Sequence, residues 1–250
     1  MDFRYYVAFL SEWLGAFGTS WLLSISPRFQ RAPLGFKYAR RDGITALSLY
    51  AVILFFAFFF YTATTPLFPD PLRVAPAPVH ALPQALIVAG VALVTFVAAL
   101  LLRKQPVRSI GWNPALLKPA LQMGFAIAVL TVFLRNQVMV IFAGLQPVQV
   151  LPLPLALLLA VAEETIFRGY IQQRLAWWLK PIPGTLLTAA LFALWHLPPW
   201  LNHLPLETTL TLLALTFIQG LVLGWVMHKA GHAAAPALYR AFSIWMQYLL

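Results

Sequence analysis

Glu163 and Glu164 stand side by side at the end of an apolar run, 151–162, with Arg168 four residues further on. The chain has only seven acidic residues, and an ionisable group at the centre of a membrane helix costs about 3 kcal/mol on insertion scales. Two carboxylates placed there need a chemical reason. On an α-helix Glu164 and Arg168 share a face and can pair, whereas Glu163 points about 100° away. One carboxylate is then tied to a guanidinium, and the other is left to act as a general base or acid. The same residues would also suit a helix end at which both glutamates neutralise an arginine reaching for the membrane surface.

A second polar element, Phe192 followed four residues later by His196, falls in the next apolar stretch. A histidine amid apolar residues is as often a hydrogen-bonded packing group as a working one, so depth decides. Glu163 lies twelve residues beyond Leu151, and His196 twelve beyond Gly184. Each is about 18 Å from its own membrane face at 1.5 Å per residue. In a core about 30 Å thick they fall within roughly 6 Å in depth. Neighbouring antiparallel helices would bring them together, and a carboxylate with an imidazole can activate a water with or without a metal. His228 and His232 are four apart, a metal-ligand spacing, but they flank Lys229 at an expected membrane edge and read as a solvated helix end. His203, beside Asn202, lies at the other edge.

These groups need a frame at membrane depth. Of the 250 residues 61% are hydrophobic and 10% are charged, and about 20 apolar residues cross a bilayer as a helix. The pattern predicts an all-α, polytopic transmembrane bundle of about eight spans. Their bounds are 5–25, 44–62, 81–102, 119–134, 151–170, 183–201, 208–228 and 233–250. Glu12 falls in the first and Arg240 in the last. The stretch 137–145 is apolar but short, and either extends the fourth helix or dips into the interface. A soluble helical core would need far more charge on its outward faces. No extramembrane segment is long enough to fold separately, so 1–250 reads as a single membrane domain. Only Arg4 precedes the first span, offset by Asp2, and no small-residue cleavage site follows, which argues against a removable leader.

Charge orients the bundle. Arg28, Arg31, Lys37, Arg40 and Arg41 separate the first two spans; Arg103, Lys104, Arg108 and Lys118 lie between the third and fourth. Arg168 at the end of the fifth, with Arg174 and Lys180 after it, and Lys229 after the seventh continue the pattern, while the alternate connections hold only Arg73 and Arg135. Positive loops stay cytoplasmic, which puts both termini outside, in a membrane such as the bacterial inner membrane. The net charge of +10 then reflects topology and contact with anionic lipid. Spread over loops, it does not describe a nucleic-acid surface, and no nucleic acid is expected as a partner. The absence of cysteine removes disulfides, thiolate metal sites and a cysteine nucleophile.

The Glu163-Glu164-x-x-x-Arg168 element, continuing as Phe167-Arg168-Gly169, and Phe192-x-x-x-His196 on the following span together resemble the CPBP intramembrane proteases. This family includes the type II CAAX prenyl endopeptidases and bacterial abortive-infection and bacteriocin-processing proteins. The glycines at Gly220 and Gly224 resemble those of the family's following helix. The resemblance covers 151–250. It implies an intramembrane endopeptidase in which Glu163 activates the hydrolytic water, His196 works with it, and Glu164, Arg168 and Phe192 support them. The implied partner is a peptide or protein substrate, prenylated or otherwise membrane-bound, in the lipid bilayer. The motif leaves open whether a divalent metal such as zinc is held. A zinc site prefers three protein ligands and an open position, and only Glu163 and His196 are good candidates.

The chain departs from the family at its last helix, where a histidine is usually followed four residues later by asparagine. Counting from Gly231 and Pro236 puts Arg240 and Ile244 at those places. Arg240 could donate to an oxyanion in the histidine's stead, with Ser243 nearby. A catalytically silent paralogue that binds without cutting is the alternative. Other membrane proteases fit less well: there is no His-Glu-x-x-His zinc helix, and Asp2, Asp42 and Asp70 all fall outside the expected spans. A small transporter lined by Glu12, Glu163, Glu164 and Arg240 is the rival from another class, although the two halves show no repeat of broken helices.

Overall fold

Prolines and left-handed residues punctuate the chain and set where its helices start and stop. In a computed structural model of the protein, which describes residues 3–29, 35–64, 82–201 and 204–249, no strand occurs among the described residues. The helices are α1 (Phe3–Ser24), α2 (Ala39–Thr64), α3 (Leu82–Leu102), α4 (Pro114–Leu134), α5 (Val138–Phe142) and α6 (Pro147–Val150). They continue as α7 (Pro152–Glu164), α8 (Gln172–Leu179), α9 (Pro181–Trp195), α10 (Leu197–Leu201), α11 (Leu206–Ala230) and α12 (Ala234–Trp245). Asp2, Arg31, Asp70, Arg73, Asn202 and His203 lie outside the described residues.

The Asn113 side chain accepts the Ala115 N–H at 3.2 Å and Pro114 opens α4, placing proline where the helix needs no N–H. Asn136, at φ 56°, ends that helix, so 137–145 is no continuation: Val138–Phe142 is a short helix of its own. Gly231, at φ 71°, closes α11 in the left-handed conformation that glycine adopts without strain.

Along α2 the buried residues Ala46, Tyr50, Ile53, Ala57 and Tyr61 recur every three or four positions, while Val52, Phe55 and Phe59 are exposed. Apolar outer faces of this kind belong against lipid. Among the described residues five stretches are long and apolar enough to cross a membrane: Ala39–Thr64, Leu82–Leu102, Val107–Leu134, Pro147–Leu179 and Leu206–Ala230. They match the expected second, third, fourth, fifth and seventh spans.

The other three differ. α1 has 22 residues with Glu12 among them. α9 and α12 have 15 and 12 residues, about 22 and 18 Å at 1.5 Å per residue, short of a core about 30 Å thick. The expected sixth span is interrupted at His196, and the eighth gives way at Trp245 to a turn, Met246–Tyr248. The helix lengths therefore do not bear out a count of eight. An apolar stretch signals burial as readily as lipid contact, and α12 is apolar because it is enclosed: Ala234, Ala235, Ala237, Tyr239, Arg240, Ala241 and Ser243 are all buried. It packs against α4 and α7. Gly124 permits the approach of α4, since a Cβ there would sit 2.8 Å from the Ala235 carbonyl oxygen.

Between α7 and α8, Thr165–Ile171 form a π-helix, closed by the Gln172 N–H bonding back to the Phe167 carbonyl. Such turns are rare and frequent at functional sites. All seven residues are buried. Gly169 is where the segment meets the turn before α4, because a Cβ there would lie 2.1 Å from the Ile110 carbonyl oxygen.

The basic connections gather at one end of the bundle, as their alternation predicts. Arg174 Nη1 donates to the carbonyls of Ser109 (3.2 Å) and Tyr170 (3.0 Å), and its Nη2 donates to Gln105. Arg103 pairs with Asp42. Trp177 Nε1 donates to the Phe36 carbonyl at 3.1 Å, and the Ala233 N–H to the Gly111 carbonyl at 2.9 Å. Asp42, expected in a loop, lies instead in the first turn of α2 and is buried, because Arg103 draws it in.

Candidate active site

Glu163 and Glu164 are the last two residues of α7, immediately before the π-helix, and both are buried together with Arg168 and Arg240. Arg168 Nε donates to Glu164 Oε2 at 3.2 Å, the pairing that the four-residue spacing predicts. Arg240 arrives from α12. Its Nη1 pairs with Glu163 Oε2 and lies 3.4 Å from Glu164 Oε1. Two carboxylates thus face two guanidiniums, a balance that lets all four charges stay in a dry interior. Both guanidiniums also stack on Phe192, their Cζ atoms 4.7 Å (Arg168) and 4.6 Å (Arg240) from the ring centroid.

His196 is the residue on which α9 ends. Its Nδ1 lies 2.8 Å from the Phe192 carbonyl oxygen. A carbonyl only accepts, so Nδ1 carries the proton and Nε2 presents its lone pair. Arg240 Nη2 lies 3.1 Å from that Nε2 and donates to it. Trp195, the preceding residue, donates its indole N–H to Glu163 Oε1 at 2.7 Å.

Glu163 and His196 therefore share one environment, as their depths predict, with Arg240 between them. One correction concerns Glu163, expected to be left without a partner: tertiary contacts from α9 and α12, invisible to helical spacing, hold both of its oxygens. Trp195 is a site residue that sequence reasoning missed, although its adjacency to His196 was a signal.

Glu163, His196 and Arg240 line a cavity of about 130 Å³. The remaining wall is mostly apolar and aromatic, including Phe9 and Trp13 of α1, Tyr61 of α2, Trp200 of α10 and Tyr248 after α12, with Thr216, Gln219 and Gln247 as polar exceptions. Three charged or ionisable groups from three helices meet where aromatic walls keep water scarce, a setting in which electrostatic interactions are strong.

The residues do not fit a metal. Zinc needs deprotonated ligands with open lone pairs, commonly three from the protein, yet the oxygen and nitrogen that Glu163 and His196 would offer are each bound to the Arg240 guanidinium. No group of three histidine, cysteine or acidic side chains suited to a metal occurs among the described residues.

Residues 146–246 match the sequence profile described as type II CAAX prenyl endopeptidase, Rce1-like. Over these residues the chain resembles an Rce1-like domain. The matched stretch takes in α6 to α12, and with them every charged group of the site. The matched family is one of membrane proteases, and with five stretches among the described residues long and apolar enough to cross a bilayer the chain is an integral membrane protein. No curated protein and no solved structure matches it.

Among the described residues of the matched stretch, His228 and His232 stand apart from the site. His228 is exposed and His232 is buried, so the pair is not a metal clip, nor is His232 the solvated helix end that was expected. The left-handed turn at Gly231 folds His232 beneath α12. There its Nδ1 accepts the Ala234 N–H at 3.0 Å, and its ring meets Trp112 edge-on, centroids 5.0 Å apart. Burial draws the His232 pKa down to about 4. Glu12, considered above as part of a transport path, belongs to a separate cluster with Arg135.

Proposed function

We propose that the protein is an intramembrane endopeptidase in which Glu163 activates water and Arg240 stabilises the oxyanion, without a metal. The observation that carries this reading is the convergence of Glu163, His196 and Arg240, from α7, α9 and α12, on one largely apolar cavity. Water attacks the scissile carbonyl carbon as Glu163 takes its proton, and the carbonyl oxygen gains the displaced electron pair beside Arg240. Collapse of that intermediate breaks the C–N bond, and the proton held by Glu163 passes to the departing amine. In this scheme His196 steadies Arg240 through Nε2, Trp195 steadies Glu163, and Glu164 with Arg168 balances the charge beneath them.

The substrate class is a peptide segment, prenylated or membrane-bound, reaching the site from within the bilayer. The same reading has the whole chain working as one membrane unit in a bacterial-style inner membrane, basic loops in the cytoplasm and both termini outside. Purified protein should cleave members of a library of prenylated and unprenylated peptides, added zinc or chelator should leave the rate unchanged, and Glu163→Gln should abolish cleavage.

One observation favours a second reading, a silent paralogue that binds peptides without cutting. Arg240 contacts Glu163 directly, on the side where an attacking water would have to be activated. Peptide binding by the wild type with no cleavage of any library member, with or without zinc, would select it.

A further inference from the structure

We infer that α1 and the end of α4, both outside the Rce1-like residues, set the rotation of α12 and so the place of Arg240, with Glu12 and Arg135 as positioning residues. Glu12 is fully buried on α1. Arg135, which follows α4, donates from Nε to Glu12 Oε2 at 2.5 Å and from Nη2 to Ser243 Oγ of α12 at 3.1 Å. Its guanidinium also stacks on Phe9 of α1, 4.3 Å from the ring centroid. The N-terminal helix, the fourth helix and the last helix are thereby joined by one polar cluster.

Its place on α12 is what gives the cluster a role. Ser243 lies one turn beyond Arg240, so a tether there fixes the angle at which Arg240 leaves the helix. Of the other buried residues of α12, Ala234, Ala235, Ala237 and Ala241 carry no polar group, while Pro236 and Trp245 lie towards its two ends, Trp245 Nε1 donating to the Gln149 carbonyl at 2.7 Å. In the turn that carries Arg240, between those ends, the directional contacts come from the polar side chains rather than from the alanines. A buried ion pair contributes little net stability over an apolar equivalent, but it is directional, and registry is its best-attested use. α1 is therefore part of the site twice over: Phe9 and Trp13 form cavity wall, and Glu12 holds the partner of α12.

The turnover arm of the test rests on the endopeptidase reading; the exchange arm does not. Hydrogen exchange would be followed over 234–245 and over α11 in the wild type, Glu12→Gln, Arg135→Ala, Arg135→Lys and Ser243→Ala, alongside kcat and KM on a cleaved peptide. Ser243→Ala removes a contact without removing a charge, so it remains informative if Glu12→Gln fails to fold. The expected result is at least tenfold faster exchange confined to α12, with kcat lowered about tenfold and KM within twofold, and partial recovery in Arg135→Lys relative to Arg135→Ala. Faster α12 exchange alongside a wild type that cleaves nothing would keep the positioning role and remove the endopeptidase reading. Unchanged α12 exchange in folded variants, or exchange raised equally in α11 and α12, would overturn the inference.

Discussion

Arg240 is the residue on which the account turns, because it touches both Glu163 and His196. Removing one oxyanion donor typically lowers turnover by about 10²–10³. Arg240→Ala should fall in that range, with Arg240→Lys recovering only part of the rate because an ammonium lacks the fork that reaches two partners. Rates for both variants on one cleaved peptide test this, and undiminished cleavage by Arg240→Ala would take arginine out of the mechanism. Glu164 carries a different burden. It faces both Arg168 and Arg240, and Arg168 Nη1 and Nη2 already lack hydrogen-bond partners among the described residues. Stripping its carboxylate leaves Arg168 buried and uncompensated, a loss of about 3–5 kcal/mol. Glu163→Ala should cost less, since Arg240 keeps Glu164 and His196. Thermal unfolding of the two variants in detergent would show the difference, and equal midpoints would contradict it.

At the scale of elements, the junction between α11 and α12 depends on a neutral imidazole. His232 Nδ1 accepts the Ala234 N–H, and a protonated ring has no lone pair with which to do so. Its pKa is about 4 in the folded protein against 6.5. Between those values the unfolded chain binds more protons than the folded one, so stability is full above about pH 6.5 and falls as pH drops towards 4. Unfolding midpoints measured from pH 7 to 4.5 should decline for the wild type and decline less for His232→Asn, whose amide oxygen still accepts the N–H; parallel declines would exclude His232 as the cause. Helical spacing made the Glu164–Arg168 pair and the shared depth of Glu163 and His196 legible in advance. The π-helix at Thr165–Ile171 was not, because no residue preference distinguishes an i+5 from an i+4 bond, and the close contact of Gly169 with Ile110 that accompanies it is tertiary.

For the molecule as a whole, the all-α membrane architecture followed from composition, and the gathering of the basic loops followed from the alternation of charge. The number of spans did not, since hydropathy reads an enclosed helix such as α12 and a lipid-facing one alike. The link between Glu12 and Arg135 joins residues far apart in the chain, so no local pattern announces it. The central claim is that the site made by these helices hydrolyses a peptide bond through Glu163. Cleavage in water enriched in ¹⁸O, followed by mass spectrometry of the fragments, tests it most directly. Wild type should place one ¹⁸O in the new carboxylate of the N-terminal fragment, and Glu163→Gln, folded and still binding peptide, should yield no fragment. Labelled product formed by Glu163→Gln at the wild-type rate, or no product from wild type with any peptide, would contradict the account.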